Sequence, residues 1–240
     1  MNLVVDIGNN YFKLGIFENS NLIYTFSDKN SEINNEIEIV LTKYKNVSYA
    51  IISNVSSLSV FEVFKKFEIK VLKLDSTLAL PFILNYKTPE TLGNDRLALA
   101  AAASTLYPHS NKLIIDVGTC ITIDFVDHDN NFFGGSISPG LEMRYKSLNN
   151  YTANLPLLKI GDDYNFPGDS TNSSIHAGVI GGVCNEIVGF ITKIDSKHDN
   201  IEVILTGGNA KFLSKRLKIT IFANQNFILE GLNCILNLNK

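Results

Sequence analysis

Two α/β domains, each a mixed β-sheet flanked by helices, are predicted for this chain by three observations. An Asp-x-Gly hairpin occurs twice, as Val4-Val5-Asp6-Ile7-Gly8-Asn9 and as Ile114-Ile115-Asp116-Val117-Gly118-Thr119. Each copy opens a run of alternating strand and helix patterns. The interval between the copies is too long for a solenoid repeat and suits two duplicated domains, here 1–111 and 112–240. A chain of 240 residues, 45% hydrophobic and 19% charged, has the composition of a globular protein with a sizeable core.

Bulk charge narrows the partners. A formal net charge of −3 gives no electrostatic reason to expect nucleic acid or an anionic membrane. No uninterrupted apolar run reaches spanning length, and Asp6 interrupts the only apolar stretch near the N-terminus, so a cytoplasmic location is expected. The Asn-x-Ser/Thr triplets at Asn46, Asn54, Asn150 and Asn172 then carry no glycosylation meaning. Cys120, Cys184 and Cys234 lack metal-ligand spacing and read as small buried apolar residues. His109, His128, His176 and His198 are equally scattered, which argues against zinc.

In the first domain the hairpin is followed by a strand over Asn21–Ser27. A helix is predicted from Ser31, as N-cap, to Tyr44, with Ile33, Ile37, Val40, Leu41 and Tyr44 on one face. Val47–Ser53 reads as a buried strand, Ser56 or Ser57 as the cap of a helix reaching Phe67, and Ile69–Leu74 as the next strand. The order β-β-β-α-β-α-β predicts a mixed sheet with helices on its faces. Asp75 to Leu92, with Pro81 and Pro89, reads as a functional or connecting loop. Asn94–Leu106 is a helix whose Ala-rich middle suits a domain junction or a dimer interface, unless it reflects only helix propensity.

In the second domain, strands are predicted over Leu113–Asp116, Thr119–Val126 and Asn131–Ile137, with Pro139 opening a helix to Asn149. Tyr151–Gly168 is irregular, and Ser170–Asp195 is one long helix or a broken pair, interrupted by Gly178, Gly181, Gly182 and Gly189. A strand Ile201–Leu205, a helix Asn209–Leu217, a strand Ile219–Phe222 and a helix Asn226–Leu238 complete the chain.

The chemistry gathers at the turns. A carboxylate beside exposed turn amides is what a metal-bound phosphate chain needs, and Gly8 permits close backbone approach. Lys13 reads either as a point charge for phosphate or as a solvated strand lysine. The Gly207-Gly208 pair, after a strand and before a helix, is a common place for backbone contact with a nucleotide. Neither GxxxxGK[ST] nor GxGxxG is present, so Walker-type and dinucleotide enzymes are not indicated. In Tyr86-Lys87-Thr88-Pro89-Glu90-Thr91-Leu92-Gly93-Asn94-Asp95-Arg96, Asp95 suits the positive end of a helix, whereas Arg96 does not; an anionic ligand would account for it.

Together, Asp6-x-Gly-Asn, Leu92-Gly-Asn-Asp-Arg96, Asp116-x-Gly-Thr119, Gly134-Gly-x-Ile-x-Pro-Gly140 and Thr171-x-x-Ser-Ile resemble type III pantothenate kinase, in order over essentially the whole chain. The paired hairpins alone indicate only the wider actin-like, sugar-kinase superfamily; the Leu-Gly-x-Asp-Arg segment narrows it. The resemblance implies two ribonuclease-H-like domains with ATP in a cleft between them, and a homodimer whose interface helps to form the pantothenate site. It implies that Asp6, Ile7, Gly8, Asn9, Asn10, Tyr11, Phe12 and Lys13 hold the ATP phosphates together with Thr119, and that Asp6 acts on Mg²⁺ through water. Gly207 and Gly208 would flank the adenosine. Asp116 would bind a monovalent cation, K⁺ or NH₄⁺. Tyr86, Gly93, Asn94, Asp95, Arg96 and Thr171 would contact pantothenate, with Asp95 as catalytic base. Asn10 stands where the family has Thr or Ser, Cys120 where it has Ala, and the chain is short for the family. The implied reaction is ATP-dependent phosphorylation of pantothenate to 4′-phosphopantothenate. A sugar-type kinase of the same superfamily, or a non-catalytic ATP-binding regulator, are the competing readings.

Overall fold

A computed structural model describes residues 1–161, 164–217 and 222–240. The first elements are β1 (Asn2–Ile7), β2 (Tyr11–Glu18), β3 (Asn21–Lys29), α1 (Ile33–Lys43), β4 (Tyr49–Asn54), α2 (Phe61–Phe64) and β5 (Lys70–Lys73). A short strand β6 (Ile83–Leu84) and the helix α3 (Asn94–Leu106) follow. Next come β7 (Asn111–Val117), β8 (Cys120–Val126), β9 (Asn131–Pro139), α4 (Leu141–Asn150), α5 (Thr171–His176) and α6 (Gly182–Asp195). The chain ends with β10 (Ile201–Thr206), α7 (Ala210–Ser214), β11 (Phe222–Ala223) and α8 (Phe227–Leu238).

The duplication seen in sequence is present in topology. One sheet runs β3-β2-β1-β4-β5, and the other runs β11-β10-β7-β8-β9-β6. Each Asp-x-Gly strand is therefore central, with its hairpin partner antiparallel on one side and a parallel strand on the other. β1 is buried along almost its whole length, as a strand covered on both faces must be. Leu3, Val5 and Ile7 pack with Ile33, Ile37 and Val40 of α1 on one face, and α8 packs against β1 and β4. In the other sheet Leu113, Ile115 and Val117 lie in a core with Leu141, Val183 and Ile187.

Packing divides the chain into two compact units: Met1–His109 with His128–Phe133 and Asn226–Lys240, and Ser110–Asp127 with Gly134–Gln225. The second helix-strand series thus differs from the expected 112–240 in its last element. The Leu229, Leu232, Ile235 and Leu236 side chains of α8 are buried, and the helix packs on α3, β1, β2 and β4 of the first unit. Asn2 ties it down, donating from Nδ2 to Asn233 Oδ1 at 2.7 Å and to Asn237 Oδ1 at 3.0 Å.

That packing also settles the Ala-rich stretch. α3 spans the expected residues, and Arg96 through Ser104 are all buried within the chain, so its small residues serve internal contact with α8. A Cβ on Gly231 would lie 1.8 Å from the Ala98 carbonyl oxygen, which shows how near the two backbones come.

Several helix starts differ from expectation. α1 begins after a 3₁₀ turn over Asn30–Glu32, and the Ser31 hydroxyl donates to Glu32 Oε1 at 3.2 Å rather than capping. α2 is confined to one turn because Ser56 turns back on Asn54, its amide and hydroxyl both donating to Asn54 Oδ1 at 2.8 Å. Pro139 ends β9, and Gly140 is the N-cap of α4. The 25-residue stretch Thr171–Asp195 stays helical through its glycines by a π-helical turn over Ala177–Gly181. It is long and apolar enough to cross a membrane by length and composition, but Ile175, Val179, Ile180, Val183, Cys184 and Ile187 lie in the core of the second unit, the property of a core helix. Of the expected strand Ile219–Phe222, 219–221 lie outside the described residues, and β11 pairs with β10 in parallel.

Gly231→Ala is expected to destabilise the protein by about 1–3 kcal/mol, because the new methyl must push two helices apart. Gly189→Ala, where a Cβ meets nothing within 4 Å, is the control and should gain about 0.5–1 kcal/mol from helix propensity. Urea unfolding of both variants measures the contrast; equal stability of the two would refute the tight α3–α8 contact.

Candidate active site

In the first unit the hairpin turn Gly8–Asn10 lies between β1 and β2, closed by the Gly8 amide donating to the Tyr11 carbonyl at 3.0 Å. Asn9, Asn10 and Tyr11 are exposed, Ile7 and Phe12 are buried, and Lys13 stands directly opposite Asp6 across the antiparallel pair. On the other side Asp6 pairs in register with Ser53 of β4. The fully buried Ser53 donates its hydroxyl to Asp6 Oδ1 at 2.8 Å. Burial pushes the Asp6 carboxyl up to about 7; the Ser53 hydrogen bond and Lys13 oppose the rise, and the negative charge of Asp95 adds to it. Asp6 and Asp95 therefore feel each other, as two expected site residues of one unit.

Asp95 sits in the first turn of α3, where its Oδ1 accepts the Arg96 amide at 2.8 Å. Gly93 is the N-cap, and a Cβ on it would come within 2.4 Å of that same oxygen, so any larger residue would have to displace the Asp95 carboxylate. Arg96 is only 4% exposed. Its guanidinium carbon lies 5.5 Å from the Tyr86 ring centroid and 6.0 Å from that of Phe132. The two rings are tilted at 56° with centroids 6.2 Å apart. β6 brings Phe132 there, since Ile83 and Leu84 pair in parallel with Asn131 and Phe132. Gly93, Asn94, Asp95, Arg96 and Tyr86 thus form one cluster, to which Phe132 is an addition that the sequence did not suggest.

In the second unit the turn is one residue tighter, with the Gly118 amide donating to the Cys120 carbonyl at 3.0 Å. Thr119 is held by Gly140, whose amide donates to the Thr119 carbonyl at 3.0 Å. A Cβ on Gly140 would meet that oxygen at 2.4 Å, so the Pro-Gly end of the Gly134–Gly140 segment is shaped to the hairpin. Gly207, in the left-handed region at φ 95°, approaches Asp116 so closely that a Cβ would lie 2.3 Å from Asp116 Oδ1. This is a structural reason for Gly207 beyond any ligand contact. Gly208 has open space instead, and lines a cavity of about 500 Å³ with Lys211, Phe212, Lys215, Arg216 and Gln225. The Arg216 guanidinium carbon sits 3.7 Å from the Phe212 ring centroid. Thr171 is exposed at the start of α5, which Ser170 and Ser173 close as a capping box. Another cavity, of about 440 Å³ along α4, is lined by Tyr145, Leu157 and Ile160 and includes none of the expected residues.

Two further residues escaped the sequence reading for one reason: their partners are distant in the chain. Ser53 lies 47 residues from Asp6, although a lone hydroxyl ending the apolar run Ala50-Ile51-Ile52 was a usable signal. Asn30 donates from Nδ2 to the Gly8 carbonyl at 2.9 Å, and nothing local marks it.

The donor sets fit different cations. Asp6 offers one carboxylate, which suits an Mg²⁺ ion that keeps waters and binds substrate phosphates. The register neighbours of Asp116 are Thr122 and Thr206, both buried, giving a carboxylate among hydroxyl oxygens of the kind that hard cations take. Among the described residues, no group of three or more His, Cys, Asp or Glu side chains could hold a metal.

A family model of type III pantothenate kinase matches residues 2–193. The type III pantothenate kinase of Christiangramia forsetii is 47% identical over 241 residues, covering 100% of this chain and 99% of that one. The Flavobacterium johnsoniae enzyme of the same name is 46% identical over 235 residues, covering 97% and 96%. Among solved structures, a Campylobacter jejuni protein described as a Baf family transcriptional activator superposes with a TM-score of 0.64 at 22% identity, covering 98% and 97%. A glucokinase from Streptomyces griseus gives 0.52 at 12% identity, covering 99% and 98%. These structural likenesses bear out the expected fold class, two mixed sheets flanked by helices.

The raised Asp6 carboxyl has a stability consequence. The folded chain holds this proton up to about pH 7 while an unfolded aspartate releases it near 3.8, so the stabilising contribution is lost as pH rises through that window. Asp6→Asn, which does not titrate, should therefore be more stable than the ligand-free parent at pH 8, by roughly 2–4 kcal/mol, with the gap closing toward pH 4. Thermal unfolding across that range without Mg²⁺ measures it, and a gap that ignores pH would mean the carboxyl is not desolvated.

Proposed function

The chain belongs to the type III pantothenate kinase family, from which we infer that it transfers the γ-phosphoryl group of ATP to the primary hydroxyl of pantothenate. The product is 4′-phosphopantothenate, and the step opens coenzyme A synthesis. The observation that carries the residue-level reading is the Asp6–Asp95 pair, two carboxylates in electrostatic reach within one unit, one beside an exposed hairpin turn and one in a helix's first turn.

Phosphoryl transfer asks a protein for positioning, charge neutralisation and one base. We assign the base to Asp95, which takes the proton of the pantothenate hydroxyl as that oxygen bonds to the γ-phosphorus and the bridging oxygen leaves with ADP. The Arg96 amide and the absence of a Cβ at Gly93 hold its carboxylate in place. Arg96, its guanidinium near the Tyr86 and Phe132 rings, binds the pantothenate carboxylate with little ordering left to do. Asn94 and Thr171 complete the contacts to that substrate. The Gly8–Lys13 segment and Thr119 take the phosphates, and the basic cavity beside Gly207 and Gly208 takes the adenosine side. Bound Mg²⁺ would offset γ-phosphate charge; Asp6 would hold it through water, and Asp116 would hold the monovalent cation. We also assign the protein to the cytoplasm as a homodimer.

Purified protein should consume ATP with Mg²⁺ only when pantothenate is present, and faster in K⁺ or NH₄⁺ than in Na⁺. Turnover indifferent to pantothenate would sink the substrate; turnover indifferent to the cation would remove Asp116 from its role.

Asp95→Asn should lower kcat by about 10²- to 10⁴-fold while leaving nucleotide affinity nearly unchanged. A variant that keeps more than about a tenth of the parent turnover would exclude Asp95 as the base.

A further inference from the structure

We propose that Asn30 is a positioning residue for ATP, setting the direction in which the amides of the Gly8–Asn10 turn point. It stands at the end of β3, as the first residue of a 3₁₀ turn, and touches the hairpin twice. Its Nδ2 donates to the Gly8 carbonyl at 2.9 Å, and its backbone amide donates to the Asn10 carbonyl at 3.1 Å.

A trans peptide is planar, with its C=O and N–H on opposite sides. Aiming the Gly8 carbonyl at Asn30 therefore turns the Asn9 amide away from Asn30, and aiming the Asn10 carbonyl there does the same for the Tyr11 amide. Both amides belong to exposed residues. Backbone N–H groups attract an anion, whereas carbonyls in the same place would repel one. Asn30 fixes which of the two faces away from it.

The side chain can do this in one orientation only. A flipped amide would set Oδ1 against the Gly8 carbonyl, acceptor against acceptor. In the orientation present, Asn30 Oδ1 is buried without a hydrogen-bond partner. The residue is thus kept for its donor while its acceptor goes unused. An aspartate of the same shape would lose the donor and place a carboxylate against the carbonyl.

The inference rests on the reading of the Asp6–Lys13 hairpin as the phosphate site. Asn30→Asp should raise the KM for ATP, and the Kd for Mg²⁺-bound nucleotide, by about 5- to 30-fold, with the KM for pantothenate unchanged. Asn30→Ala should move the same constants by less, since it removes the donor without adding repulsion, and it serves should the aspartate variant not fold. Lys13→Ala, measured alongside, separates the two claims. If Lys13→Ala weakens ATP while both Asn30 variants stay within twofold of the parent, the positioning role is refuted and the phosphate site stands. If none of the three moves ATP affinity, the phosphate reading falls and the positioning role with it. Equal rises in both substrates' KM would make Asn30 a merely structural residue.

Discussion

An aspartate held at the end of a central strand is the constraint on which each unit depends. Asp6 is flanked by Lys13 on one neighbouring strand and Ser53 on the other, and Asp116 by Thr122 and Thr206. Centrality supplies neighbours on both sides, which an edge strand cannot, and it also removes water. Burial raises the Asp6 carboxyl to about 7 despite a hydroxyl donor and a nearby lysine. Fixing a carboxylate there has a cost that a shorter, exposed loop would avoid. What it gains is rigidity: a strand end with two hydrogen-bonded neighbours places the group more firmly than a free loop does.

Glycine is the means by which other backbone reaches these carboxylates. Gly93 lies against Asp95, Gly207 against Asp116, and Gly140 against the Thr119 carbonyl, each too close for a Cβ. Gly231 applies the same solution to helix packing, against Ala98. Other glycines carry no such demand: at Gly178, Gly182 and Gly189 a Cβ meets nothing. The contrast matters for reading glycine in a sequence. Gly207 and Gly208 look alike there, yet only the first is filled by protein atoms, which leaves the second to face a cavity.

The legible parts of the fold are those set by local chemistry. Asp-x-Gly turns between β-prone runs reported both hairpins, and α3 came out at its observed limits because a turn-forming Gly93 precedes a helix-favouring Ala-rich run. Caps failed where a longer-range bond took the residue. Asn30 is tied to the hairpin, so the chain tightens into a 3₁₀ turn, and Ser31 never reaches a capping position. Pro139 looks like a helix opener, but its carbonyl accepts Arg144 Nε at 2.7 Å and its neighbour Gly140 is committed to Thr119, which leaves the proline at a strand end. The candidate site divides the same way. Asp6, Asp95 and Asp116 sit in motifs, while Ser53 and Phe132 are brought in by strand pairing across long intervals that no local pattern encodes. The placement of α8 failed for that reason too, since chain order says nothing of which sheet a terminal helix will cover.

Duplication explains the common plan, and the differences between the copies give each carboxylate its own surroundings. The first turn holds three residues between its strands and the second holds two, so the first has an additional peptide to present. Across the strand, Asp6 faces an ammonium and Asp116 a hydroxyl. The parallel neighbours differ as well: Ser53 gives its hydroxyl to Asp6, while Thr206 gives its own to the Asn224 carbonyl at 2.8 Å. A carboxylate beside a lysine is close to neutral as a pair, and a polyanion can approach it without strong repulsion. A carboxylate whose register neighbours are hydroxyls offers oxygen donors and negative charge, which favours a cation. The two copies of one hairpin thus differ by one turn residue and by the side chains that flank each carboxylate.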